Sequence, residues 1–350
     1  MIKPIKPLTK EEIAYVIDGC GAASRVPMFI HFWVHPESFG DRKTAVLDLL
    51  SRYPQDGQII WVNIPETFES PPDDPDYRWA NRSASMPQEE KSIALDSQIA
   101  INDWSELDDI IEHFPNPYYP GMFQNNPPND GRYRIAWWWF CFFERHWSLR
   151  GMSNALMDYY IAPEQVHRLF RKLTDFYLVL IERAKFEIGA DAILTGDDLG
   201  TQRSTFFSLE FFREFFKPYY KELFDRAHEL GMHFWFHSCG NVETFIPEWI
   251  EIGLDVLHPI QRHAMDAVRI ANLYGGNITI WAGADVQQVI PFGTTEDVRK
   301  EVRYLIDTYY RPDGKLILGA GNGINEDCPL ENLEAFLHES YVYGSKKMSG

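Results

Sequence analysis

Short apolar runs alternate along the chain with longer stretches in which apolar residues recur every three or four positions. That is the pattern of strands alternating with helices. The short runs cover residues 28–33, 59–64, 133–143, 190–194, 233–237, 254–257, 278–281 and 315–318. Helical periodicity is clearest over 242–252, 296–309 and 329–341. A further long helix opens at Pro163, a residue suited to a first turn, and another runs from Ser208 as its cap to Gly231 as its end. Eight such units predict an α/β fold, a single (β/α)8 TIM barrel over residues 1–350. A doubly wound sheet would need a Gly-rich loop after its first strand. Residues 31–36, His-Phe-Trp-Val-His-Pro, contain no glycine. Residues 70–79 and 115–131, rich in Pro, Asn and Asp, interrupt the repeat and read as long loops, candidates for lids or substrate walls. No internal repeat or linker marks a second domain.

In a barrel of this kind the chemistry gathers at the C-terminal ends of the strands. The polar residues expected there are His31 and His35, Asn63 and Glu66, Glu144 and Arg145, Asp197, Asp198 and Gln202, His237 and Cys239, His258 and Gln261, Asp285 and Gln287, and Asn322. Their convergence on one mouth predicts an enzyme or a ligand-binding protein. Asp197 and Asp198 are candidate acid–base groups, with Asn322 as a third catalytic candidate. His31, Trp137, Gln202, Gln261 and Asp285 are candidates for contact with a substrate.

His237 and Cys239 lie two positions apart, so on a continuing strand both face one side. An imidazole and a thiolate suit Zn²⁺, and Cys328, Asp197, Asp198 or Asp285 could complete the site. The same spacing also fits a hydrogen-bonded imidazole beside a thiol packed as a small apolar group. Cys328 stands at the cap position before Pro329, where a helix N-terminus lowers a thiol pKa.

Charge narrows the partners. Against 33 Lys and Arg stand 51 Asp and Glu, a formal net charge of −18. That excess disfavours a nucleic-acid partner and docking on anionic membranes. The four cysteines are far apart and form no C-x-x-C pair, which argues against a disulfide framework. With no apolar leader and no run approaching the roughly 18 apolar residues of a membrane span, a cytoplasmic protein is expected. Aromatic residues make up 15% of the chain. Part of that supply, in the Trp137–Phe143 stretch and the 70–79 loop, is expected to wall an apolar pocket.

Several segments resemble the uroporphyrinogen decarboxylase superfamily. They are Gly189 to Gln261, with Thr-Gly-Asp-Asp, His-Ser-Cys-Gly-Asn and Leu-His-Pro-Ile-Gln; Gly283-Ala-Asp-Val-Gln; and Gly319-Ala-Gly-Asn-Gly-Ile, followed by Cys328-Pro-Leu-Glu-Asn. The resemblance implies a (β/α)8 barrel and one of two chemistries. One branch decarboxylates uroporphyrinogen without a cofactor. The other moves methyl groups to or from corrinoid proteins, with zinc held by a His-x-Cys pair and a later Cys. The decarboxylases place arginines after the first strand and a His in a late Gly-His-Gly. Here residues 31–39 contain no Arg, and the late motif is Gly321-Asn322-Gly323. The methyltransferase branch keeps His237 and Cys239, but its later Cys falls near Asn322, six residues before Cys328. The resemblance therefore implies a zinc-assisted methyltransferase acting between a small aryl or thiol substrate and a corrinoid protein. The alternatives are a metal-free decarboxylase of a tetrapyrrole or another small acid, and a non-catalytic ligand binder on the same barrel.

Overall fold

Strands buried on both faces need near-continuous apolar sequence, and the central runs of this chain form such strands. A computed structural model describes residues 5–80 and 99–348. Its seven strands are β1 (Gly57–Trp61), β2 (Tyr133–Trp137), β3 (Ala192–Gly196), β4 (His233–His237), β5 (Val256–His258), β6 (Thr279–Ala284) and β7 (Leu316–Ala320). They form one parallel sheet in chain order, as right-handed βα units require. The register sets Gly196 beside His237 and His237 beside His258, so the polar ends of β3, β4 and β5 lie level.

The first predicted strand, 28–33, is not one. Met28 forms a single parallel bridge to Leu318 of β7, with Phe29 N–H donating to Leu318 O at 2.8 Å. On its other side Met28 O accepts from Asp56 N–H at 3.1 Å, just before β1. The segment thus bonds to both edges of the sheet. Pro27 offers no N–H for a ladder, and by Ile30 the backbone has turned helical, leading into a 3-10 turn, His31–Trp33. The 133–143 run is also cut short. It leaves the ladder after Trp137, Phe140 takes φ 65°, and a helix (Phe143–Arg150) begins.

Helices cover the sheet. The longest (Pro163–Ile188) opens on Pro163 and ends at Gly189, whose φ of 62° a side chain would resist. Another (Thr295–Tyr309) is fixed by a reciprocal pair: Asp297 N–H donates to the Thr294 hydroxyl, and Thr294 N–H donates to the Asp297 carboxylate. Among the described residues, no helix is long and apolar enough to cross a membrane.

An aromatic layer fills the space the strands enclose. The rings of Phe29, Trp235 and Trp281 meet at centroid distances of 5.1, 5.3 and 6.1 Å, mostly edge to face. This plug forms a floor, and polar side chains one turn of the pleat higher stand on it. The two long loops are packed rather than loose. Arg183 donates to the carbonyls of Pro117 and Tyr119, and Arg134 holds Asn126 and Pro127. Trp79 is fully buried and donates to Pro65 O at 2.8 Å.

The Met28 segment is held by one buried carboxylate. Asp56 accepts from Leu8 N–H and Met28 N–H, each at 2.7 Å, and pairs with Arg25 at 2.5 Å. Removing it would strand the Arg25 charge in the interior, which costs about 3–5 kcal/mol. Asp56→Ala is therefore expected to lower the unfolding free energy by about that much in urea titrations followed by circular dichroism. A loss under 1 kcal/mol would show that the segment is held by other means.

Candidate metal centre and substrate cavities

Three ligand atoms from two strand ends converge at the mouth. Asp198 follows β3, His237 ends β4 and Cys239 lies two residues further on. Their donor atoms all lie within 4.8 Å of one another. Cys239 Sγ is 3.3 Å from His237 Nε2, and Asp198 Oδ1 is 3.5 Å from the same nitrogen. The Cys239 N–H donates to Asp198 Oδ1 at 2.8 Å and ties the two loops together. That approach depends on Gly240, which has φ 86° and whose missing Cβ would overlap the backbone of Gly200.

A chain of hydrogen bonds sets the tautomer of His237. His258 Nε2 lies 2.8 Å from Ala320 O, and a carbonyl only accepts, so that nitrogen carries a proton. Burial holds the His258 pKa well below its usual value, so its Nδ1 is bare. His237 Nδ1 is 2.8 Å from that bare nitrogen and must be the donor. Burial also lowers the His237 pKa, against the nearby Asp198 charge. His237 Nε2 is thus left with a free lone pair facing Asp198 and Cys239. Burial pushes the Cys239 thiol up, with Asp198 adding to the shift, while Asn322 Nδ2 donates to Sγ at 3.6 Å.

One carboxylate, one bare imidazole nitrogen and one thiol form a donor set that zinc accepts, with a fourth position left for a substrate. Cys328 does not join it. Its sulfur is buried in the core, donates to Pro329 O at 3.3 Å, and has a pKa pushed up to about 12 by burial. Asp285 is held by Gln287 and Gln288 N–H groups and by His263 at 3.1 Å, apart from the three ligand atoms. Asp198 was one of several carboxylates considered beside the pair, and tertiary packing brings it next to His237 and Cys239.

Asp197, a catalytic candidate, does not sit on a solvated turn. It is wholly buried and accepts from Phe142 N–H at 2.7 Å, Glu144 N–H at 2.9 Å and the Tyr220 hydroxyl at 2.6 Å. Burial raises its pKa to about 6 against those donors. Its work is to hold the bend after β2. His31 likewise misses the mouth, because its Nε2 donates to Tyr53 O at 2.6 Å.

Two cavities meet at the cluster. The first, about 470 Å³, is lined by Phe32, Trp33, His35, Trp137, Trp139, Phe140, Glu144, Asp198, His237 and Asn322. Within this wall burial raises the Glu144 carboxyl pKa, and the charges of Asp198 and Asp197 add to the shift. The second, about 310 Å³, is polar and includes Gln202, Cys239, Gln261, Arg262, His263, Asp285 and Gln287, with Asp198 and Asn322 shared between the two. The 70–79 loop lines neither; Ser70, Pro71 and Tyr77 border a separate cavity near Trp61. Trp139 and Phe140 belong to the 137–143 stretch expected to wall the pocket, whereas Phe32 and Trp33 were absent from the expected site, and so was His258 as a partner of His237. For Trp139 a signal existed in its i, i+2 spacing from Trp137. For Phe32 and Trp33 there was none, since residues 28–33 read as a regular strand, and His258 was expected at the mouth without its bond to His237.

If His258 sets the tautomer, ¹⁵N NMR of the metal-free protein will show His237 Nε2 unprotonated and Nδ1 protonated. His258→Ala should turn that into a mixture of tautomers, while an unchanged His237 spectrum would refute the assignment.

Residues 147–341, more than half of the chain, match the uroporphyrinogen decarboxylase (URO-D) family. A search of curated proteins finds no match. Among solved structures, a methyltransferase from Methanosarcina mazei aligns with a TM-score of 0.61 at 13% identity, over 96% of this chain and 99% of the other. A glycosylated endo-beta-1,4-xylanase from Gloeophyllum trabeum aligns with a TM-score of 0.45 at 7% identity, over 88% and 94% of the two chains. The first likeness shows a shared fold. With the family match over β3 to β7 and the sheet order described above, the chain belongs to the uroporphyrinogen decarboxylase family.

Proposed function

We propose that this protein is a zinc-assisted methyltransferase that moves a methyl group between a small molecule and a corrinoid protein. The observation that carries this reading is the convergence of Asp198 Oδ1, His237 Nε2 and Cys239 Sγ between an aromatic and a polar cavity. The fold shared with a methyltransferase supports it. We also take the chain as one barrel unit, with the Met28 segment in place of an eighth strand. Its hydrogen bonds to Leu318 and Asp56 support that.

Asp198, His237 and Cys239 would hold the metal. Bound there, zinc supplies a Lewis acid for the heteroatom that gives up or receives the methyl group. The protein's own groups do the remaining work. The His258–Ala320 bond keeps His237 Nε2 free of a proton. Asn322 directs its amide at Cys239 Sγ from the position where the family's methyltransferases are expected to carry a thiol. Trp33, Trp137 and Trp139 wall the aromatic side. The polar cavity offers amide and glycine surfaces toward the mouth. Decarboxylation of a polyanion has less support, since among the described residues no Arg or Lys lines the aromatic cavity and Asp197 is sealed away.

Metal analysis of protein purified without chelator is expected to give about one zinc per chain. Cys239→Ala and Asp198→Asn should lose it, whereas Cys328→Ser should keep it. Because the Cys239 thiol must release its proton to bind, zinc affinity should rise about tenfold per pH unit below the thiol pKa. No zinc after reconstitution would overturn the metal reading. Zinc without methyl exchange with any corrinoid protein would favour the binder.

A further inference from the structure

The aromatic cavity has a composition that narrows its ligand, given the methyl-transfer reading above. Neighbouring rings meet as perpendicular walls: Phe32 and Trp137 at 4.7 Å and 88°, Trp137 and Trp139 at 5.1 Å and 75°. Trp33 continues the enclosure, 6.2 Å from Trp139. A neutral aryl ligand would be content with such a box alone. This one also contains two carboxyl groups, Glu144 and Asp198, and among the described residues no Lys or Arg lines it. Among the described residues Glu144 has no ion-pair partner. The adjacent Arg145 turns its guanidinium onto the rings of Trp79 and Phe140, 4.4 and 5.4 Å away. If a metal took Asp198 and a Cys239 thiolate, their two negative charges would offset its own, and Glu144 would remain as an unmatched acidic group.

We infer that the cavity binds a methylated onium head, a quaternary ammonium or tertiary sulfonium, with the ring faces of Phe32, Trp33, Trp137 and Trp139 around its methyl groups and Glu144 as its counter-charge. Electron-rich ring faces attract a diffuse cation, and a desolvated box strengthens that attraction. A volume of about 470 Å³ holds such a head together with a short tail. The chemistry is consistent with methyl transfer. The carbon–nitrogen or carbon–sulfur bond would break with its electron pair left on the heteroatom, so the leaving group departs neutral without a proton, and on such a donor a metal would act on the heteroatom only as that pair is released. A cobalt(I) corrinoid would supply the electron pair for the new bond to carbon.

The test is calorimetric titration of the full chain, metal-free and zinc-loaded, with choline and with its uncharged isostere 3,3-dimethylbutan-1-ol. Choline is expected to bind about tenfold or more tighter than the alcohol. Trp139→Leu should weaken choline about tenfold, Trp139→Phe should retain most of the affinity, and Glu144→Gln should weaken it several-fold. Near-UV circular dichroism checks that each variant is folded. Equal binding of the alcohol or of anisole would overturn the inference, as would no choline binding at millimolar concentration. An unchanged affinity in folded Trp139→Leu would do the same. Choline binding is read without turnover, so it survives a failure of the metal or methyl-transfer reading. Conversely, zinc binding and methyl exchange with neutral substrates alone would sink only the onium assignment.

Discussion

The centre rests on a backbone carbonyl. Ala320 O, at the end of β7, dictates which nitrogen of His258 carries a proton. His258, at the end of β5, then dictates the tautomer of His237 at the end of β4. This works only because all three groups are buried and no water competes for the protons. Stacking adds to the confinement: His258 lies flat against Trp33 at 4.5 Å and close to Trp281 at 4.4 Å. The aromatic filling of the sheet is thus part of the chemistry. It supplies the dry floor on which one imidazole nitrogen is kept bare.

Asp197 plays the matching role for the cavity wall. By collecting the N–H groups of Phe142 and Glu144 it takes the chain out of the β2 ladder and into a bend. That bend brings Trp139, Phe140 and Glu144 onto the same opening as Trp137. Asp198, the next residue, is then free to face His237 and Cys239. Two adjacent acids of the same type divide into a buried organiser and a half-buried neighbour of the His-x-Cys pair. The division follows from which side of the strand end each occupies.

Much of this was legible in the residues. The alternation of apolar runs placed seven strands near their observed positions, and His233–His237 was bounded correctly. His237 and Cys239 share a face because pleat period is a local property, so their spacing was enough to pair them. The failures have physical causes too. The run at 28–33 has strand composition, but Pro27 and the early helical turn reduce it to a bridge. The 133–143 run ends early because Asp197, more than fifty residues away, captures its backbone.

What the sequence by itself determined is the order of elements, the parallel α/β class, the family, and the His-x-Cys pair, all carried by local periodicity or short motifs. What only the tertiary structure decided is which carboxylate stands beside the His-x-Cys pair, the tautomer of His237 and the membership of the aromatic cavity. Each depends on which distant backbone group meets a side chain. Cys328 and Asp198 are equally good ligands on paper. One sulfur is bonded to Pro329 O beneath a helix start, and the other residue's carboxylate is drawn to Cys239 by a backbone N–H. Chain spacing does not encode that distinction, because long-range hydrogen bonding and burial settle it after the strands have assembled.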